Sequence, residues 1–204
     1  MGLLLLGLVL FLGCHSVRVF AQSWRENTLL RLGEKMYKGL YSLASIVGFV
    51  LIVYGFSLVR MDSPMLWLPP VAMRHVASLL MLLSMILLVA GQVPHNAIKD
   101  RLKHPMVLSV KVWALAHLLA NGRLADLILF GAFLVWSVLV FRASRQRDRL
   151  LDDLVPESAE TTEVASPTTT KVMVIGALVW AVLLLGGHAW LFGVSPVGLG
   201  FSGL

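Results

Sequence analysis

The sequence predicts an all-α integral membrane bundle of about six transmembrane helices, and three observations predict it. The 204 residues are 58% hydrophobic and only 14% charged, whereas soluble domains have about 45–50% apolar and about 25% charged residues. Apolar runs close to the ~20 residues needed to cross a bilayer recur along the chain. The charges fall in the gaps between those runs. Mean hydropathy is +0.83. Backbone groups in lipid must be satisfied internally, and uniformly apolar runs favour helices over the alternating strands of a barrel.

The first span covers 2–21. Nothing basic precedes it, and Arg18 and Arg25 follow it. A cleavable signal peptide has the reverse polarity. Phe11-Leu12-Gly13-Cys14 is also a poor lipoprotein box, so the segment is expected to stay in the membrane and to keep His15 there. Leu6 stands where myristoylation needs Ser or Thr. The second span covers 38–59. Glu34 and Lys38 precede it in the favourable i,i+4 order, and Tyr37 and Tyr41 anchor its start. Trp67-Leu68-Pro69-Pro70 forms a stiff entry into the third span, 71–92.

Pro94 and Pro105 then bracket a short basic amphipathic segment, Ile98 to Lys103, suited to the headgroup layer. Pro105 fits the first turn of the fourth span, 105–120, because its missing N–H costs nothing there. That span is short and carries Lys111 and His117. Asn121-Gly122 is a helix stop, and Asn121, Arg123 and Asp126 are expected to close the turn into the fifth span, 124–142. The sixth covers 171–192. Residues 1–145 thus form a membrane core of five spans. Residues 146–170 read as a flexible cytoplasmic linker without chemistry, and residues 171–204 add the sixth span and a short outer tail to the same domain.

Fourteen of the 17 Lys and Arg residues lie in the first, third and fifth connections. The positive-inside rule makes those connections cytoplasmic. The expected setting is a bacterial inner membrane with both termini periplasmic and lipids as the main partner. The net charge of +6 is thereby spent on orientation, and no nucleic-acid partner is indicated. Cys14 is the one cysteine, which excludes an internal disulfide and a cysteine metal cluster. It diverges from His15 by about 100° around the helix, so the two do not bind one metal.

Ionisable groups inside spans point to function. His15, His75, His117 and His188 lie in or at spans. Facing imidazoles in a bundle core are the axial-ligand chemistry of haem iron. On upright helices His15 and His117 differ in depth by roughly 8 Å, and His75 and His188 lie nearer the outer face. Depth alone leaves His15 with His117, and His117 with His75 or His188, as competing pairs. Trp113 shares a helix face with His117. It either packs a flat cofactor or anchors the helix at the membrane interface. A bundle whose histidines merely bridge helices is the haem-free alternative.

The motifs GxHSxR (Gly13 to Arg18), RLGExxYKGLYSLxSxxGF (Arg31 to Phe49), LWxPP (Leu66 to Pro70), IKxRxxHPM (Ile98 to Met106), WAxAHLLANG (Trp113 to Gly122) and HxWLFGVSP (His188 to Pro196) resemble the NnrU family over nearly the whole chain. The first four spans also resemble plant 15-cis-zeta-carotene isomerases. That resemblance implies haem b with His15 and His117 as ligands, and an isomerase-like activity. Ala114 stands where the isomerases carry a cysteine, so a cysteine-for-histidine ligand exchange is not available. The NnrU resemblance implies a role in nitrite and nitric oxide metabolism during denitrification, alongside the nitrite and nitric oxide reductase system. A third resemblance, Lys103-His104-Pro105 to the Arg-His-Pro motif of membrane methyltransferases, implies S-adenosylmethionine binding as an alternative. Lys replaces the usual Arg there, and the Gly and acidic residues expected further on are not recognisable.

Overall fold

The computed structural model describes residues 1–154 and 167–196. Apolar runs fold as helices because only a helix satisfies its own backbone in lipid. The elements are α1 (Gly2–Phe20), α2 (Gln22–Leu32), α3 (Glu34–Val59), α4 (Val71–Gln92), α5 (Ala97–Leu102), α6 (Pro105–Ala120), α7 (Leu124–Leu154), α8 (Pro167–Val182), a π-helical turn (Leu183–Gly187) and α9 (His188–Phe192). No strand occurs among the described residues. Five segments are long and apolar enough to cross a membrane: α1, α3, α4, α7, and α8 continued through α9. Helix α6 is apolar but shorter. Its 16 residues rise about 24 Å, less than the ~30 Å hydrocarbon core. It sits between α4 and α7 and buries Pro105, Ser109, Ala114 and Ala116. Large apolar side chains such as Val9, Leu79 and Leu185 stand two-thirds exposed on the bundle's outside, the surface a lipid-embedded protein presents.

Two antiparallel pairs make the frame. In the first, α1 and α3 meet backbone to backbone at Gly7, Gly48 and Gly55. A Cβ on Gly55 would lie 2.5 Å from the Leu4 nitrogen, and one on Gly7 would lie 2.6 Å from the Ile52 nitrogen. Small residues permit this approach, and close packing replaces the hydrophobic drive that lipid cannot supply. In the second pair, α4 and α6 are joined by the buried Ser84, whose hydroxyl donates to the Ser109 carbonyl at 3.0 Å. Helix α7 lies between the pairs, parallel to α1 and antiparallel to α6. Leu129 and Phe130 of α7 bury themselves against Leu4, Leu8 and Ile52. Helix α8 packs on the far side of α4, with Gly176 against Ile86 and the Trp180 indole donating to the Ser78 carbonyl.

The ends of the bundle sort the connections as the charge pattern does. At one end the α3–α4 and α6–α7 turns interlock. Leu66 and Trp67 N–H groups donate to the Gly122 carbonyl, and the Arg123 guanidinium donates to the carbonyls of Met61 and Ser63. Arg123 N–H donates to the Asp126 carboxylate at 3.2 Å, so this polar group closes the turn as expected. At the other, basic end, α5 and the start of α6 meet α7. Lys103 pairs with Asp152 and His104 with Asp148, each at 2.8 Å. Buried Asn96 caps α5, accepting from the Lys99 N–H and donating to the Ala90 and Val93 carbonyls.

Three boundaries differ from the sequence reading. Gln22–Leu32 is helical, although it lies in a connection. The 146–170 stretch is helical at both ends, to Leu154 and from Pro167. The flexibility expected of it falls mainly on 155–166, outside the described residues. The last span is broken by the π-helical turn and by Gly186, whose φ of 151° only glycine adopts without strain.

Candidate histidine site

Helix α6 presents Trp113 and His117 one turn apart toward α7. The His117 ring stacks on Phe130 with centroids 4.5 Å apart and planes at 27°. Its Nδ1 lies 2.8 Å from the Trp113 carbonyl. A carbonyl only accepts, so this contact puts the proton on Nδ1 and leaves the Nε2 lone pair free. Fixing one ring nitrogen on a backbone carbonyl is the usual way a ligating imidazole is oriented.

His188 comes to this ring from the last span. The break at Leu183–Gly187 redirects the chain, and the two imidazole centroids end 6.4 Å apart with planes at 28°. The His188 Nδ1 lies 2.7 Å from the Val194 carbonyl, which selects the same tautomer. Two imidazoles on opposite sides of one metal at about 2.0–2.1 Å per nitrogen have centroids about 6 Å apart; the spacing here is close to that, and the near-parallel ring planes are those of a stack. Phe192 packs 4.9 Å from the His188 ring, and its carbonyl accepts from the Arg60 guanidinium at 2.9 Å. Among the described residues this is the hydrogen bond that ties α9 to the end of α3.

His15 lies elsewhere. Its ring packs on Phe11 at 4.3 Å, Tyr41 at 5.5 Å and Trp136 at 6.4 Å, and its Nδ1 lies 2.7 Å from the Phe11 carbonyl. The adjacent Ser16 hydroxyl accepts from the Trp136 indole N–H at 3.0 Å. Along α7 His15 stands level with Trp136 and His117 with Phe130, a difference of six residues or about 9 Å. Between them runs a file of rings: Phe11 to Phe133 at 5.9 Å, then Phe133 to Trp113 at 5.4 Å. Of the pairs left open by depth, the structure brings His117 to His188 and keeps His15 away from both. His75 is exposed on α4 and makes no hydrogen bond or ring contact among the described residues. No group of three or more His, Cys, Asp or Glu side chains able to hold a metal occurs among the described residues.

Trp113 packs edge-on against Phe130 and Phe133, at 5.1 and 5.4 Å. In this packing it is a core residue that backs His117. Sequence reasoning missed Phe130, Phe133 and Trp136, which carry the aromatic file. Phe130 and Phe133 are three apart in one apolar run, a spacing that signals a shared face without naming the partner. Of the methyltransferase-like motif, Lys103 is ion-paired with Asp152 and His104 is hydrogen-bonded to Asp148.

No curated protein and no solved structure matches the chain. The family model described as NnrU protein matches residues 3–196, and the chain belongs to the NnrU family.

Proposed function

We propose that this NnrU family member is a haem b protein of the bacterial inner membrane, with both termini periplasmic and the haem held through His117 and His188. The observation that carries the reading is the approach of two imidazoles, each with Nδ1 on a backbone carbonyl and Nε2 free, beside a break in a transmembrane helix. π-Helical turns frequently mark functional sites. Bound there, haem would supply one-electron redox chemistry and binding of a small diatomic such as nitric oxide.

The chain's own residues have distinct tasks in this proposal. His117, fixed by Phe130 and the Trp113 carbonyl, would hold the haem. His188, on a five-residue helix tied through Arg60, would be the second residue to hold it and the less firmly positioned of the two. That division suits an accessory protein or sensor in nitrite and nitric oxide metabolism, working with the reductase system. A redox-gated isomerase is the other activity such a haem would serve. A haem-free accessory protein is the second reading, favoured by the protein rings that surround His117.

The absorption spectrum of the purified protein tests the proposal. Haem gives a Soret band with sharp reduced α and β bands. His117→Ala should abolish them, His188→Ala should shift or weaken them, and His15→Ala should leave them unchanged. Loss of the bands in His15→Ala with no change in His188→Ala would restore the pair implied by the isomerase resemblance. A clean spectrum after expression with ample haem would leave the haem-free reading. Calorimetric binding of S-adenosylmethionine, lost in His104→Ala, would instead favour the methyltransferase.

A further inference from the structure

At the basic end, α7 carries Arg142, Arg145 and Arg149 on one face. With Phe141 and Gln146 they line an open groove of about 460 Å³. The nearby acids are placed so as not to neutralise it. Asp148 is taken by His104 and Asp152 by Lys103, while Asp153 forms no ion pair with Arg149 among the described residues. The three guanidiniums have no carboxylate partner among the described residues. A fourth cation, Lys111, reaches the edge of the groove, its Nζ 5.9 Å from the centre of the Phe141 ring.

Depth and continuity identify the occupant. Counted from Leu124, Arg142 lies about 27 Å and Arg149 about 38 Å along the helix. They straddle the edge of a hydrocarbon core ~30 Å thick, at headgroup level. On the same face, toward the bilayer centre, Leu139 and Val135 are 48% and 60% exposed. The order 135, 139, 142, 146, 149 alternates steps of four and three, one continuous stripe on a helix. Its apolar half suits an acyl chain and its basic half a phosphate, which Arg recognises in bidentate fashion. We infer that the Phe141–Arg149 groove is a binding site for the phosphate headgroup of an anionic phospholipid, whose acyl chain runs along Leu139 and Val135.

Native mass spectrometry of the full chain, purified in detergent and equilibrated with equal parts phosphatidylglycerol and phosphatidylcholine, tests this. The wild type should retain phosphatidylglycerol at least about tenfold over phosphatidylcholine, since clustered basic residues at the membrane surface favour an anionic headgroup. The Arg142→Gln, Arg145→Gln, Arg149→Gln triple variant should lose that preference. Arg25→Gln, Arg31→Gln, Lys35→Gln removes as much charge from another connection and should keep it. Equal losses in both triples, or none in the first, would overturn the site. Displacement of the lipid by inorganic phosphate alone would reassign the groove to a free anion, whereas retention under excess phosphate supports the lipid.

Discussion

The α1–α3 pair and the α8–α9 segment both stand at the rim of the bundle, yet they are held by opposite means. In the first, Gly7, Gly48 and Gly55 bring two backbones into direct contact over the roughly 10 Å from Gly48 to Gly55. In the second, the Trp180 indole bonds α8 to α4, the helix breaks at Gly186, and among the described residues one hydrogen bond, from Arg60, ties α9 to the end of α3. The His15 site belongs to the rigid pair and the His188 site to the loose segment. In the proposed haem site the histidine on the loosely held segment would be the more easily displaced, because local opening draws on the least stable parts of a fold.

That contrast can be broken most forcefully at its rigid half. Gly55→Leu should cost about 3 kcal/mol or more, because the new side chain meets the Leu4 backbone rather than a movable side-chain tip. Thermal melting in detergent should show a large drop in midpoint. Gly186→Ala should cost about 1–3 kcal/mol locally by forcing a side chain into a glycine-only conformation. Hydrogen exchange should rise in 183–196 while α1 and α3 remain protected, and uniform loss of protection would erase the distinction.

At the basic end His104→Ala should cost about 0.2–1 kcal/mol, since its bond to Asp148 is partly solvated. A melting shift that shrinks with added salt would identify the ionic share. Ser84→Ala should cost about 0.6 kcal/mol, the average for polar contacts between membrane helices. A much larger loss would make the α4–α6 pair, rather than α1–α3, the stiffest part of the frame.

Much of the architecture is readable in the residues because lipid imposes so few options. The run lengths mark the spans, Pro105 opens α6 as its missing donor allows, and Asn121 stops it. The alternation of basic connections matches the two ends where the turns gather. The candidate site was less readable. His117 and His188 are 71 positions apart, and their meeting depends on a helix break that Gly186-Gly187 permits but does not require. The six-residue offset of His15 from His117 is fixed by how α7 sits between the two pairs. Periodicity within one helix carries no record of its neighbour's axial position.

The sequence by itself determined that this chain is a helical membrane protein of the NnrU family, which connections share an end, and which histidines lie within apolar segments. These follow from hydropathy, helix geometry and charge, all of which act locally. Only the tertiary structure decided that His117 faces His188 across a broken helix while Phe11, Phe133 and Trp113 fill the space toward His15. That outcome depends on side chains from four helices competing for one volume, and no single segment encodes it.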